Sequence, residues 1–269
     1  MFLRALPDEG VTLAVLQDHH LNLSGQFATA WGNADFAQAH PIVAYMARNH
    51  DAGWQEDDWS PDADPATGFP YHIMDVPPPR LVEIHRRSIR RNRAFHPYAG
   101  ILGAMHTMGF YTTRLGVSDF LVMDELRAQH GDVLDPMVEE CRQLVDDGRR
   151  ELADDPEYGA LVAEEPLLWN YKVLQAFDTM SLYFCLGRDE EDAPVTFPNV
   201  PTSEGGTTTI TFTPRAARTI EVDPWPLASP TASVVLDAKV MRAPFPADVA
   251  DGLRTAPVRQ LRYDLAPAA

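Results

Sequence analysis

Apolar and polar positions alternate over residues 2–5 and 11–16, on either side of a Pro-Asp-Glu-Gly turn, and this period of two predicts a short β-hairpin. The spacing then becomes helical. A helix is expected from a cap at Asp18 through DHHLNLSGQFATAWG, and a second over HPIVAYMARNHD, with Pro41 near its first turn. Residues 52–79 hold six prolines with several Asp and Gly and read as a long loop. Loops of that length inside a compact domain are usually functional. From Pro79 to Leu186 the helical pattern dominates, with candidates at 80–94, 97–115, 118–130, 134–153 and 158–186, separated by Pro97, Gly116, Gly131 and Pro156. Pro166 suggests that the last of these is two pieces.

After Gly187 the character changes again. Residues 193–269 contain 11 of the 23 prolines, and strand-like runs stand at 207–213, 219–222 and 233–240, with another in PVRQLRYDL near the end. Prolines between such short runs suggest an edge-rich antiparallel sheet, which the N-terminal hairpin is expected to join. The expected fold is α+β and mostly α, a single domain over 1–269. Its helical core would cover 17–187, and the β-rich 193–269 would pack with the hairpin 1–16 in a small antiparallel sheet.

Composition mainly excludes partners. The chain is 45% apolar and 23% charged, as expected of an ordinary globular protein. It carries 22 basic against 39 acidic side chains, a net charge of −17, and every basic residue except Lys172 and Lys239 is arginine. A DNA duplex carries one phosphate charge per ~1.7 Å, so this balance argues against nucleic acid, and it argues equally against an anionic membrane surface. Solubility is the plain explanation for the acidity. No run approaches ~18 consecutive apolar residues, and MFLRALPDEG has an acidic turn where a signal peptide needs an apolar stretch. A cytoplasmic protein is expected, with a homodimer left open. Cys141 and Cys185 form neither a disulfide framework nor a C-x-x-C site, and both are expected to be reduced core residues. The nine histidines all lie within the first 130 residues, which says where to look for a site.

Several polar residues occupy apolar helix faces, where an unpartnered ionisable group costs several kcal/mol. Asp178 shares its face with Tyr171, Leu174, Leu182 and Cys185. His106 has Leu102, Met105, Gly109 and Phe110 one turn away, and His20 is trailed by Leu23, Phe27 and Trp31. His50 and Asp51 close a helix whose inner face is Ile42, Val43 and Met46, with Trp54 just beyond. A lone core histidine is more often bonded to a carbonyl than to a metal. An Asp at a helix end is more often a turn residue. Taken together, these nitrogen and oxygen donors on separate helices favour convergence on a metal ion. His19, about 100° around the helix from His20, cannot face the same core and is expected to be exposed or to support a ligand.

The order His, His-Asp, His, Asp on successive helices resembles the HD-domain superfamily of metal-dependent enzymes, and within it a branch known only as a domain of unknown function. The resemblance rests on QDHHLNLSGQFATAW, NHDAGW, DWSPDADPATGFPY, HPYAGILGAMH, FDTMSLYFCLG and DPWP, and it covers most of residues 10–226. It implies an HD-like helical bundle with His20, His50, Asp51 and Asp178 as the first metal set, and His106 as an additional ligand. A dinuclear site would need one further histidine, for which His72 and His85 are the candidates. One or two divalent transition metals are therefore implied. Fe and Mn are favoured over Zn, Ni or Co, although ligand type alone does not choose among them.

The first functional reading is hydrolysis of a small phosphoester or similar anionic substrate through a metal-activated water. Asp51 or an acidic residue of 56–64 would accept a proton, with His106 assisting. RLVEIHRRSIRRNR has six arginines in 14 residues and could supply phosphate contacts, Arg87 among them, although for most of them, Arg80, Arg87 and Arg91 included, the better expectation is to face solvent or pair with the acidic 119–165 segment. The second reading is a diiron oxygenase that cleaves a C–C or C–P bond of a small polar substrate. It would need His106 with His72 or His85, in a water-poor pocket lined by Trp54, Tyr98 and Trp59. A non-catalytic metal- or ligand-binding module is third, because ligands spread over roughly 160 residues suit an open catalytic position better than a closed structural one.

Overall fold

Strand β1 (Phe2–Leu6) pairs antiparallel with β2 (Val11–Val15), Phe2 opposite Val15. Between them a 3-10 turn at residues 7–9 ends on Gly10, whose φ of +61° is the left-handed conformation that glycine adopts without a Cβ clash. The computed structural model describes residues 1–191, 193–215 and 218–268. Eight helices follow the hairpin before the remaining strands among these residues. They are α1 (Gln17–Ala30), α2 (Pro41–Asn49), α3 (Gln55–Trp59), α4 (Pro78–Phe95), α5 (Pro97–Gly109), α6 (Asp124–Gln129), α7 (Gly131–Leu152) and α8 (Glu164–Cys185).

The 158–186 candidate is one helix, not two. It begins at Glu164, so Pro166 falls in the first turn, where its missing N–H has no intrahelical carbonyl to serve. The 97–115 candidate stops at Gly109, and 118–130 shrinks to α6. The reason is a left-handed turn at Thr113, Arg114, Leu115 and Gly116, with φ of +46°, +47°, +57° and +76°. It turns the Arg114 side chain inward, where Nε donates to the Phe120 carbonyl at 2.7 Å and Nη2 to that of Leu121 at 3.4 Å. A loop wrapped on a guanidinium replaces the expected helix. The 52–79 segment is also less irregular than expected, because it contains α3 and 3-10 turns at 52–54 and 73–75.

Five further strands complete the sheet: β3 (Val195–Pro201), β4 (Thr207–Arg215), β5 (Thr219–Asp223), β6 (Ala232–Met241) and β7 (Val258–Pro267), with α9 (Val249–Thr255) between the last two. Among the described residues the order is β1-β2-β6-β7-β5-β4-β3, and the hairpin joins through β2, Thr12 opposite Met241. A purely antiparallel sheet is not what forms, because β5 and β7 are parallel. β6 returns antiparallel to β5 one strand's width away. β7 then runs opposite to β6 into that gap, which leaves it parallel to β5. β3 is the strand that periodicity does not reveal. It holds Pro198 and Pro201 and shifts register between Phe197 and Val200, which an edge strand tolerates.

The inner face of the sheet packs on α1 and α8 through aromatic contacts. Phe27 stacks on Phe184 with ring centroids 6.1 Å apart, and Phe184 lies 4.5 Å from Tyr263. The α+β class therefore stands, with α1, α2, α4, α5, α7 and α8 sharing one buried core with this face of the sheet. Both cysteines are free and buried. Among the described residues no helix is long and apolar enough to cross a membrane.

The N-terminus of α1, the helix that carries His20, is capped from a distance. Asp58 of α3 accepts the Asp18 backbone N–H at 3.1 Å, and burial pushes this carboxyl up to about 7 from an ordinary 3.8. Between those values the folded chain binds a proton that the unfolded chain releases. Stability therefore falls as pH rises through the window, by up to roughly 1.4 kcal/mol per unit. Asp58→Asn keeps an acceptor for the cap and removes this slope. Urea titrations at pH 5 and pH 8 should differ less for the variant than for the parent, and equal differences would refute the assignment.

Candidate metal centre

Four helices and the turn that ends α2 deliver five side chains to one buried point. α1 presents His20 on its packed face, beside Leu23 and Phe27. α2 ends at His50, whose N–H still reaches the Met46 carbonyl at 2.8 Å. Asp51 is already off the helix (φ −106°, ψ 23°), so the two adjacent side chains can point to different parts of the site. Gly53, two residues on, lets the backbone touch α4, because a Cβ there would meet the Ile84 carbonyl and Ser88. Its N–H donates to Ser88 Oγ at 2.9 Å, which pins the turn after the His-Asp pair. α5 supplies His106 and α8 supplies Asp178. None of the five is more than 4% exposed.

The donor atoms are close together. His20 Nε2 lies 3.1 Å from His50 Nε2 and 3.1 Å from Asp178 Oδ1, and His50 Nε2 lies 3.4 Å from the same oxygen. Atoms bound at about 2.0–2.1 Å to one ion stand roughly 3–3.4 Å apart, so this triangle has the dimensions of a coordination face. The proton positions agree. His50 Nδ1 donates to the Met46 carbonyl at 3.1 Å. Ser181 Oγ donates its one proton to the Asp178 carbonyl at 2.9 Å, so at 2.7 Å it must accept from His20 Nδ1. In their neutral forms both imidazoles turn an Nε2 lone pair toward a carboxylate oxygen, an arrangement that a cation satisfies, whether a metal ion or a proton on His50. A second group, His50, Asp51 and His106, keeps its donor atoms within 4.8 Å of one another, and His106 Nε2 is 3.6 Å from Asp51 Oδ1. Among the described residues, Asp51 Oδ1, His106 Nε2 and Asp178 Oδ1 have no hydrogen-bond partner despite complete burial. These residues could hold a metal ion.

Arg114 organises the other side of the cluster. This fully buried guanidinium donates to Asp178 Oδ2 at 2.6 Å and to Gln175 Oε1 through the same nitrogen. Gln175 Nε2 in turn lies 3.2 Å from His106 Nδ1. Burial would raise the Asp178 carboxyl, but the Arg114 charge beside it holds it well below the usual range. Burial likewise opposes ionisation of Asp51, and His106, His50 and His20 outweigh it. For His50, burial lowers the imidazole's pKa, and the Asp178 and Asp51 carboxylates more than reverse that. Two carboxylates and one guanidinium give the centre a net charge of −1 before any imidazolium is counted, which favours a cation, either a metal ion or a proton on His50.

The remaining residues singled out by sequence lie elsewhere. His85 is buried near the cluster, but its Nε2 is paired with the Tyr111 hydroxyl at 3.1 Å, and burial pushes it down to about 4. His72 accepts the Met74 N–H at 3.2 Å and meets the edge of Phe2. Neither belongs to the two donor groups. Trp54 is buried and lines a small cleft with Asp57, Tyr71 and Arg80. Tyr98 sits eight residues before His106 on α5, about 12 Å along the axis, and its hydroxyl donates to Leu161 O and accepts from Asn170. Trp59 is 69% exposed. Arg87 is committed to the Gly53 carbonyl and to Asp57 and Glu56. Arg80 and Arg91 also pair with 56–57, whereas Arg86 and Arg93 reach Glu140 and Glu151 of the 119–165 segment. His19 is half-buried, and its Nδ1 accepts the Leu16 N–H.

Sequence reading did not single out Arg114, Gln175 or Ser181. The last two carried a signal, since both stand three residues from Asp178 on the same face of α8. Arg114 had only its isolation in an apolar stretch. Removing one partner of a buried ion pair leaves the other uncompensated, at a cost of about 3–5 kcal/mol. Arg114→Met should lower unfolding stability by about that amount, and Asp178→Ala should both destabilise the chain and abolish metal retention. Unchanged metal content in the Asp178 variant, measured by elemental analysis, would remove Asp178 from the ligand set.

A family model described as "Protein of unknown function (DUF3891)" matches residues 1–243. No curated protein and no solved structure matches the chain. With nearly the whole α+β unit and all five clustered side chains inside the matched span, the chain belongs to the DUF3891 family.

Proposed function

We propose that this protein is a metal-dependent hydrolase of HD-like type, acting on a small phosphoester or a similar anionic substrate. The observation that carries the reading is the triangle of His20 Nε2, His50 Nε2 and Asp178 Oδ1, with Asp51 Oδ1 in the adjoining donor group. A divalent ion held by His20, His50 and Asp178 would polarise an anionic oxygen and bring the pKa of a bound water toward neutrality. Asp51, held ionised by the surrounding imidazoles, is the group suited to accept a proton from the attacking water. His106 stands 3.6 Å from it, within reach of the same proton transfer. Arg114 keeps Asp178 oriented through Oδ2, which leaves Oδ1 to face the histidines.

Charge supports an anionic substrate. A dication changes the centre from −1 to +1, and an anion then restores balance in a site of low dielectric. In this reading the substrate enters past the 52–79 segment, which begins directly after Asp51 and, together with Met1 and Arg80, lines a cleft through Trp54 and Tyr71. Protein purified without a nickel column should retain a divalent metal and hydrolyse a member of a small-phosphoester panel. That activity should be lost with a chelator and restored by the metal. Two irons per chain with oxygen uptake would overturn hydrolysis.

One observation favours the oxygenase as the second reading. The group of His50, Asp51 and His106 shares His50 with the first triangle, and His85 is buried nearby. A dinuclear enzyme of that kind draws on His72 or His85. Replacing both with Gln should leave hydrolysis largely intact, and complete loss of activity with folding retained would instead support the dinuclear reading.

A further inference from the structure

We propose that His106 is a proton-bearing group and not a metal ligand, so that this centre takes a single ion on His20, His50 and Asp178. The proposal rests on the metal-binding reading above for the ion, but its statement about His106 stands on protein atoms alone. Arginine has only donors, so the Gln175 atom that meets Arg114 must be the amide oxygen. The other end of that amide is then an NH2, which has only donors to offer, and it lies 3.2 Å from His106 Nδ1. Nδ1 must accept. A neutral imidazole carries one proton, which therefore sits on Nε2, facing Asp51 Oδ1 at 3.6 Å with no hydrogen-bond partner for either atom among the described residues.

The three imidazoles of the cluster thus fall into two kinds. His20 and His50 donate from Nδ1, to Ser181 Oγ and to the Met46 carbonyl, and aim lone pairs at Asp178. Ligand histidines are generally oriented in this way, with the far nitrogen donating to a nearby acceptor. His106 receives the reverse, a donor at its far nitrogen, and aims a proton at Asp51. Gln175 is the positioning residue that makes this difference, and Arg114 fixes which way its amide faces.

The test is the tautomer of His106, read by long-range nitrogen–proton NMR on protein labelled with 15N in its histidines, together with titration by zinc(II) alone. The wild-type protein should show His106 Nδ1 unprotonated and Nε2 protonated. One equivalent of zinc should perturb the Nε2 signals of His20 and His50 and leave the His106 Nε2–H in place. In Gln175→Glu the carboxylate can accept from Arg114 and from His106 Nδ1 together. The proton should then move to Nδ1, and a second, weaker equivalent of zinc should bind. A wild-type His106 protonated on Nδ1, or loss of its Nε2 proton as zinc binds, overturns the proposal. If no zinc binds at all, the metal reading fails, and the wild-type tautomer still decides the role of His106.

Discussion

Arg114 and Asp178 form a buried ion pair on which the geometry of the whole centre depends. Moving both charges out of water is costly, and the pair is tolerated because the groups around it are bonded. The guanidinium meets Asp178, Gln175 and the Phe120 and Leu121 carbonyls. Backbone conformation is recruited to the same end. Three consecutive non-glycine residues are held at positive φ so that the arginine can enter the core. Backbone strain of this sort persists where surrounding contacts over-determine it, and it concentrates at functional sites.

Helix α8 acts as the rail of the centre. Gln175, Asp178 and Ser181 recur every third residue on one face, and each governs a different partner. Asp178 faces the two Nε2 atoms, Ser181 sets the proton on His20, and Gln175 sets the proton on His106. A helix is well suited to this task because its residues at three-residue spacing lie on one side at fixed rise. The sheet contributes indirectly, by seating α8 against an aromatic layer that includes Phe184 and Tyr263.

The charge distribution takes on a definite meaning in three dimensions. The arginines of α4 are the densest basic run in a chain of net charge −17, yet most are occupied. Arg80, Arg87 and Arg91 fasten the 56–57 carboxylates, and Arg86 and Arg93 tie α4 to α7. They hold the turn that follows Asp51 to the bundle. The positive charge nearest the proposed chemistry is instead a solitary arginine from a loop.

Much of the molecule was legible in the sequence. Period-two and helical spacing located the hairpin, most helices and four of the C-terminal strands. Polar residues on apolar faces located His20, His50, Asp51, His106 and Asp178, because burial of such groups demands partners. What local pattern could not carry was whatever depends on a distant partner. The edge strand with Pro198 and Pro201 is stable only beside β4, and the parallel placement of β7 follows from a gap left by β6. The inward turn at Arg114 pairs residues 64 positions apart, so no local period announces it. Sequence determined which side chains must share the interior. Tertiary structure alone decided which nitrogen of His20 and of His106 carries the proton, because that depends on single hydrogen bonds made across helices.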